Sequence, residues 1–158
     1  MAVTPDEFRA ALSRFPSGVT VVTTRGSDGQ LHGITVSAFC SVSLEPPLIL
    51  VCVEKIASSH NALHEPGIFV VNILSENQRD LSEHFASQIE DKFQTVRYHE
   101  GIHGLPVLAG VVASLQCTLH ATHDGGDHTI FVGSVESVTV NDLRPLAYLH
   151  GDYRSIPH

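Results

Sequence analysis

The chain has no tryptophan, one methionine and only three cysteines, Cys40, Cys52 and Cys117. An odd number without C-x-x-C spacing, set inside apolar segments, argues against a disulfide framework and reads as small core hydrophobes. The compartment this implies is the reducing cytoplasm. Basic residues are also scarce: nine Lys and Arg stand against 17 Asp and Glu, a net charge of −8. That is the wrong sign for capturing nucleic acid, and no Lys/Arg cluster compensates, so any anionic ligand has to be held locally by backbone amides or a few side chains. Long apolar runs are missing too. Ile49–Val53 and Phe69–Leu74 fall far short of the roughly 20 residues that cross a bilayer, so no membrane span is expected. The N-terminus carries charges and lacks the apolar core of a signal peptide, so export is not expected either. GxSxG, Walker A, GxGxxG and HExxH patterns are all absent, which leaves hydrolase, NTPase, Rossmann and zincin readings without their usual anchors.

What is present suits one globular domain over residues 1–158, with 42% hydrophobic and 16% charged residues. Phe8, Ala11, Leu12 and Phe15 lie at helical spacing behind Thr4 and Pro5, predicting an amphipathic helix over 5–15. Residues 18–25 are rich in β-branched side chains and end at the turn Ser27–Asp28–Gly29, which returns into Leu31–Val36 as a hairpin. Pro46–Pro47 precedes a buried strand at 48–54, a short helix is expected at 57–65, and Pro66–Gly67 leads into a strand at 67–74. Leu81, Phe85, Ile89 and Phe93 are spaced four apart, so 76–96 reads as helical. A Gly/His/Pro-rich loop (98–106) follows, then alternating strands at 113–123 and 129–140 flank a turn at 124–128. Six or so strands, mostly antiparallel, with two or three short helices and no βαβ repeat, predict a small β-barrel with peripheral helices.

Four groups of residues invite a chemical reading. Eleven histidines are present; His60 and His64 stand four apart, and His120, His123 and His128 gather near one turn. No companion cysteine or carboxylate spacing accompanies them, so hydrogen-bonded or solvated histidines are expected and no metal. Lys55, Ser58 and Ser59 follow a buried strand: they suit either a phosphate at a helix start or a simple serine cap. Gly125, Gly126 and Asp127 suit a hairpin turn, which does not by itself require His128 next to it. Finally, Thr35, Ser37 and Ala38 among Val36 and Phe39 set small and hydroxyl side chains beside an apolar wall. That pattern fits either a solvated strand face or the bed of a flat, polar-edged ligand such as a flavin.

Several segments together resemble the flavin reductase-like family, the FMN-binding split barrels that serve two-component flavin monooxygenases. They are FPSGVTVVTT (15–24), GITVSAFCSVSLEPPLILVCV (33–53), FVVNILSENQRDLSEHFA (69–86), GIHGLPVL (101–108), GDHTIFVGSVE (126–136) and PLAYLHGDYR (145–154). The resemblance implies a mainly β fold, a Greek-key six-stranded antiparallel split barrel with short peripheral helices, assembled as a homodimer. It implies an NAD(P)H-dependent flavin reductase that reduces FMN or FAD and passes reduced flavin, by diffusion, to a monooxygenase. Thr35, Val36, Ser37 and Ala38 would meet the isoalloxazine ring. Cys52, Val53 and Glu54, then Ser58 and Ser59, would hold the ribityl chain and phosphate, with Phe85 and Ala86 as further flavin contacts. His128, positioned by Asp127, would meet the nicotinamide of NADH or NADPH, and Tyr153 with Arg154 would lie near the site. The alternative is a flavin-binding electron-transfer module that holds FMN permanently and does not turn over.

Overall fold

The computed structural model describes residues 2–157. The chain begins with helix α1 (Pro5–Leu12), started by a capping box in which the Glu7 amide donates to Thr4 Oγ1 at 3.2 Å and the Thr4 amide donates to Glu7 Oε2 at 2.8 Å. A short β1 (Ser17–Gly18) leads into β2 (Thr20–Arg25), β3 (Leu31–Val36), β4 (Phe39–Ser43) and β5 (Leu48–Glu54). Helix α2 (Ser59–His64), strand β6 (Ile68–Ile73) and helix α3 (Arg79–Ala86) follow, then the small pair β7 (Tyr98–Glu100) and β8 (Pro106–Leu108). Two long arms, β9 (Ala113–Gly125) and β10 (His128–Val140), form a hairpin, and β11 (Leu146–Leu149) with β12 (Asp152–Ser155) ends the chain. No helix among the described residues is long and apolar enough to cross a membrane.

Seven strands make one antiparallel ladder in the order β3-β2-β6-β9-β10-β5-β4. The two end strands, β3 and β4, are consecutive in the chain and joined only by Ser37 and Ala38. Seven flat strands would span about 29 Å, whereas the link from Val36 to Phe39 reaches about 10 Å at most. The sheet therefore curls until its edges meet at that corner, a Greek-key barrel split between β3 and β4. β2 is buried on both faces for the same reason: Val22 joins Val51, Phe69 and Phe131 in the inner cluster, while Val19 and Val21 join Leu74, Phe85 and Leu108 in a second cluster under α3.

The ladder has seven strands against the six or so expected: past the corner at Ser37–Ala38, Phe39–Ser43 pairs with β5 as a separate strand at the opposite end of the sheet from β3. The helix expected over 76–96 stops at Ala86. Ser87 turns extended (φ −79°, ψ 172°) and its hydroxyl donates to the His84 carbonyl at 2.6 Å, competing locally with helix continuation. Of the stripe spaced by four, Phe85 is fully buried on the helix and Phe93 is buried from the following loop, whereas Ile89 is 52% exposed. α1 likewise ends at Leu12, short of Phe15.

Gly33 sets how closely α3 lies on β3. A Cβ there would sit 2.4 Å from the Phe85 ring and 3.1 Å from Phe93, and a fully buried Phe85 cannot swing away. Gly33→Ala is expected to cost about 1–3 kcal/mol by overpacking, read in thermal denaturation as a fall of about 2–4 °C for each kcal/mol in a chain of this size. An unchanged Tm would mean that α3 lifts off the sheet freely.

Candidate functional site

The corner that closes the barrel is open to solvent. Ser37 and Ala38 are exposed, and the corner is held from behind: the Phe39 amide donates to Ser37 O at 2.9 Å and the Cys52 amide to Ala38 O at 3.0 Å. The amides of Ser37 and Ala38 themselves lie between two strands and have no protein acceptor among the described residues. These two residues, whose amides have no protein acceptor among the described residues and whose side chains are small, line a cleft of about 460 Å³. Ile34, Thr35 and Val36 continue its floor, and Cys52, Val53 and Glu54 form the β5 side. The Val36 and Val53 side chains are buried in the core, at 5% and 1% exposure, so these residues offer main chain rather than side chain to a ligand. The Thr35 hydroxyl donates to Ser82 O at 2.6 Å; its proton ties β3 to α3, leaving Thr35 only as an acceptor toward the cleft.

The far wall comes from the turn into α2 and the end of α3. Ser58 and Ser59 line it. Ser58 stands at the N-cap position, yet its side chain makes no capping bond, so the simple serine cap does not account for it. Phe85 and Ala86 also line the cleft; the Phe85 side chain is core, and Ala86 is exposed at the helix end. From the loop beyond α3, Lys92 reaches back so that its Nζ donates to Phe85 O at 2.9 Å and Gly33 O at 3.2 Å. Burial pushes the Lys92 pKa down from its ordinary value. Lys92 is the one Lys or Arg among the residues lining this cleft. Sequence reading passed over it in favour of Lys55, whose charge is instead engaged by Asp124 in an ion pair on the β9–β10 turn. The signal available was a lone lysine in the acidic run Glu90–Asp91.

His128 closes the cleft at the start of β10, opposite Glu54 of β5. Its Nδ1 lies 2.7 Å from Asp127 Oδ1, so the ring donates from Nδ1 and leaves Nε2 uncommitted. Asp127 is exposed, and the hydrogen bond from His128 holds its carboxyl below the usual range. The Asp127 carbonyl accepts from the Lys55 amide at 2.9 Å, fixing the turn to the end of β5. Tyr153 and Arg154 do not line the cleft. The Tyr153 hydroxyl meets Ser82 Oγ at 2.9 Å, Arg79 stacks 5.1 Å from its ring centre, and Arg154 pairs with Asp152 on the surface. Tyr153 thus braces the outer side of the helix whose inner side holds Thr35. Among the described residues no three His, Cys, Asp or Glu side chains converge at metal-binding distances; His60 bonds Thr129 Oγ1 at 2.8 Å and rests edge-on against Phe131.

The model of the flavin reductase like domain matches residues 12–157. The reductase subunit of a flavin-dependent monooxygenase from Rhodococcus jostii is 40% identical over 156 residues, covering 98% of this chain and 80% of that protein. An NADH-dependent flavin reductase from Rhodococcus sp is 41% identical over 156 residues, 98% of this chain and 88% of the other. Among solved structures, an NADH:FAD oxidoreductase of Streptomyces globisporus in complex with NAD and FAD fragments is similar with a TM-score of 0.92 at 39% identity, over 99% of this chain and 97% of that one.

The three thiols occupy three environments. Burial pushes Cys117 up to about 12, and burial with the neighbouring Cys40 raises Cys52, which lines the cleft; Cys40 is exposed. Because the thiolate is the reactive form, maleimide labelling near pH 8 followed by mass spectrometry is expected to mark Cys40 first, Cys52 slowly and Cys117 only after denaturation. Labelling of Cys117 as fast as Cys40 in the native protein would contradict the burial order.

Proposed function

Because the chain belongs to the flavin reductase-like family, we propose that its 158 residues form one NADH-dependent flavin reductase domain, a cytoplasmic homodimer supplying reduced FMN or FAD to a separate flavin-dependent monooxygenase. The observation that carries this reading is the cleft, with bare main-chain donors at Ser37–Ala38 on one wall and a single cation, Lys92, on another. A flavin mononucleotide has a flat ring with a polar edge and an anionic tail, and this donor set matches both ends. Bound flavin supplies the redox chemistry, accepting hydride from the nicotinamide and leaving in reduced form. The protein orients and excludes. Ser37 and Ala38 hold donors in place before any charge develops opposite them, and Val36, Cys52 and Val53 keep that wall free of bulky groups. His128, set by Asp127, stands where a nicotinamide can meet it at the cleft edge. Hydride carries its own electron pair, so no acid–base dyad is required of the chain.

Dimerisation is supported by α1. Eight residues are too few for a stable helix in water on their own, yet α1 buries no residue: Phe8 and Leu12 are 55% and 58% exposed, and Phe15 beyond it is 78% exposed. They line an apolar groove of about 1020 Å³ with Phe39, Ile73 and Tyr148, and this groove runs on to Ser37 and Ala38. A second copy seated there covers the helix face and adds a wall to the flavin cleft. The expected sedimentation mass is twice the 17.1 kDa of one chain. Phe8→Glu with Leu12→Glu is expected to give a monomer whose far-UV circular dichroism keeps the β-sheet signal and loses at most the helical contribution of α1. A wild-type monomer at micromolar concentration would remove the dimer.

The activity is tested by following nicotinamide absorbance with NADH and excess riboflavin, FMN or FAD. Many turnovers per chain are expected; a single reduction with FMN retained would favour the electron-transfer module. His128→Ala is expected to lower kcat/KM for NADH by about 10–100-fold, or about 1.4–2.7 kcal/mol, with flavin affinity held within about twofold. An unaltered rate would take His128 out of the reaction.

A further inference from the structure

The cleft does not end at Lys92. A second cavity of about 300 Å³ adjoins it. The two share Ser58, Ser59, Ser87, Gln88 and Lys92 as a common wall. Beyond that wall the second cavity is lined by Gln30, Leu31, His32, Ile89 and Glu90, none of which touches the first. Together the volumes exceed what the ring and one phosphate of FMN need, and they lie within the range of sites that enclose a drug-sized ligand.

Lys92 sits at the junction and is the one Lys or Arg lining either cavity. An ammonium has three N–H donors. Two are spent on Phe85 O and Gly33 O, which fixes the head group and leaves the third for a ligand. The cavity beyond carries the opposite character. Gln30 and Gln88 offer amides with a donor and an acceptor side by side, the pairing that suits the edge of adenine. Leu31, Ile89 and the His32 ring supply flat cover, and the Glu90 carboxylate suits ribose hydroxyls and repels phosphate. Phosphates therefore belong at Lys92 and a neutral nucleoside beyond it.

We propose that this chain binds FAD in preference to FMN, with the pyrophosphate at Lys92 and the adenosine half in the Gln30–Ile89 cavity. The proposal rests on the flavin reductase reading and narrows it to one flavin. NADH carries the same adenosine diphosphate group. However, His128, Glu54 and Ile56 line only the first cavity, so a dinucleotide entering at His128 meets the ring from the side away from Gln30. A flavin whose ring lies on Ser37–Ala38 continues directly past Ser58 and Lys92 into the second cavity.

The test is equilibrium titration, by quenching of flavin fluorescence, of the full-length protein with riboflavin, FMN and FAD in the absence of nicotinamide. FAD is expected to bind about tenfold or more tighter than FMN. Gln30→Ala with Ile89→Glu, both at exposed positions, is expected to remove that advantage and leave FMN affinity within about twofold. Lys92→Met is expected to weaken FMN and FAD together and leave riboflavin as it was, with melting curves confirming that each variant folds. Equal affinity for FMN and FAD, or an FAD advantage that survives the double substitution, overturns the inference while leaving the reductase reading intact. A rise in KM for NADH in the double variant, with flavin affinities unmoved, assigns the cavity to the dinucleotide and also overturns it. Failure of all three flavins to bind overturns both.

Discussion

The main-chain wall of the cleft follows from a two-residue connection. Ser37 and Ala38 join strands that belong at opposite ends of a seven-strand ladder, and a link so short leaves the sheet no option but to close. Closure is incomplete at that same place. A ladder bond needs a neighbouring strand, and at the corner the chain is passing from one edge to the other, so its amides are left without protein partners among the described residues. In the interior of a protein such unpaired donors are costly. Here they stay at the surface, where water or a ligand satisfies them, and the fold produces a row of donors without dedicating a motif to it. Small side chains are then a requirement, since a large residue at 37 or 38 would cover the donors that the topology exposes.

The opposite wall is held by a second constraint, the contact of α3 with β3. Gly33 lets the Phe85 ring lie against the strand, Thr35 donates to Ser82 O, and Lys92 ties Phe85 O to Gly33 O. Tyr153 reaches the same Ser82 from outside. Each of these joins α3 or its following loop to the barrel edge, so the width of the cleft is set by several short contacts spread over a helix, a strand and the C-terminal hairpin. Loss of Tyr153 would act on the site through Ser82 and α3 and not through a ligand.

Much of this was legible in the sequence, and the reasons for the rest are physical. The β2–β3 hairpin, the buried β5 and the β9–β10 arms announce themselves by β-branched runs and turn residues, and the hydroxyl-rich stretch at 33–43 contains residues that line the cleft. The strand ending at Val36 was legible, but single-residue patterns did not carry where the chain goes next: Ser37–Ala38 has no Gly or Pro to signal a corner, and only the pairing of distant strands puts β4 at the opposite end of the sheet. The spacing of Leu81, Phe85, Ile89 and Phe93 fits one helix, but Ser87 ends it early, and Phe93 reaches the core from a loop. Burial at the right positions therefore arose from two different backbones. Lys92 was overlooked because its role depends on carbonyls of residues 33 and 85, far away in sequence, while Lys55 attracted attention beside Ser58 and is neutralised by Asp124 in the fold.

The charge balance explains why one lysine is enough. A net charge of −8 opposes an anionic nucleotide at long range, but at physiological salt that field decays over about 8 Å, and every acidic side chain but Glu76 is exposed. Lys92 is partly buried and screened far less, so a phosphate already in the cleft feels the lysine more than the surface. Attraction of this kind is local and modest, without the bidentate grip of an arginine or the reach of a basic patch. A protein that must take up oxidised flavin and let reduced flavin go is better served by one such contact than by several, because each added ion pair would slow release as much as it aided capture.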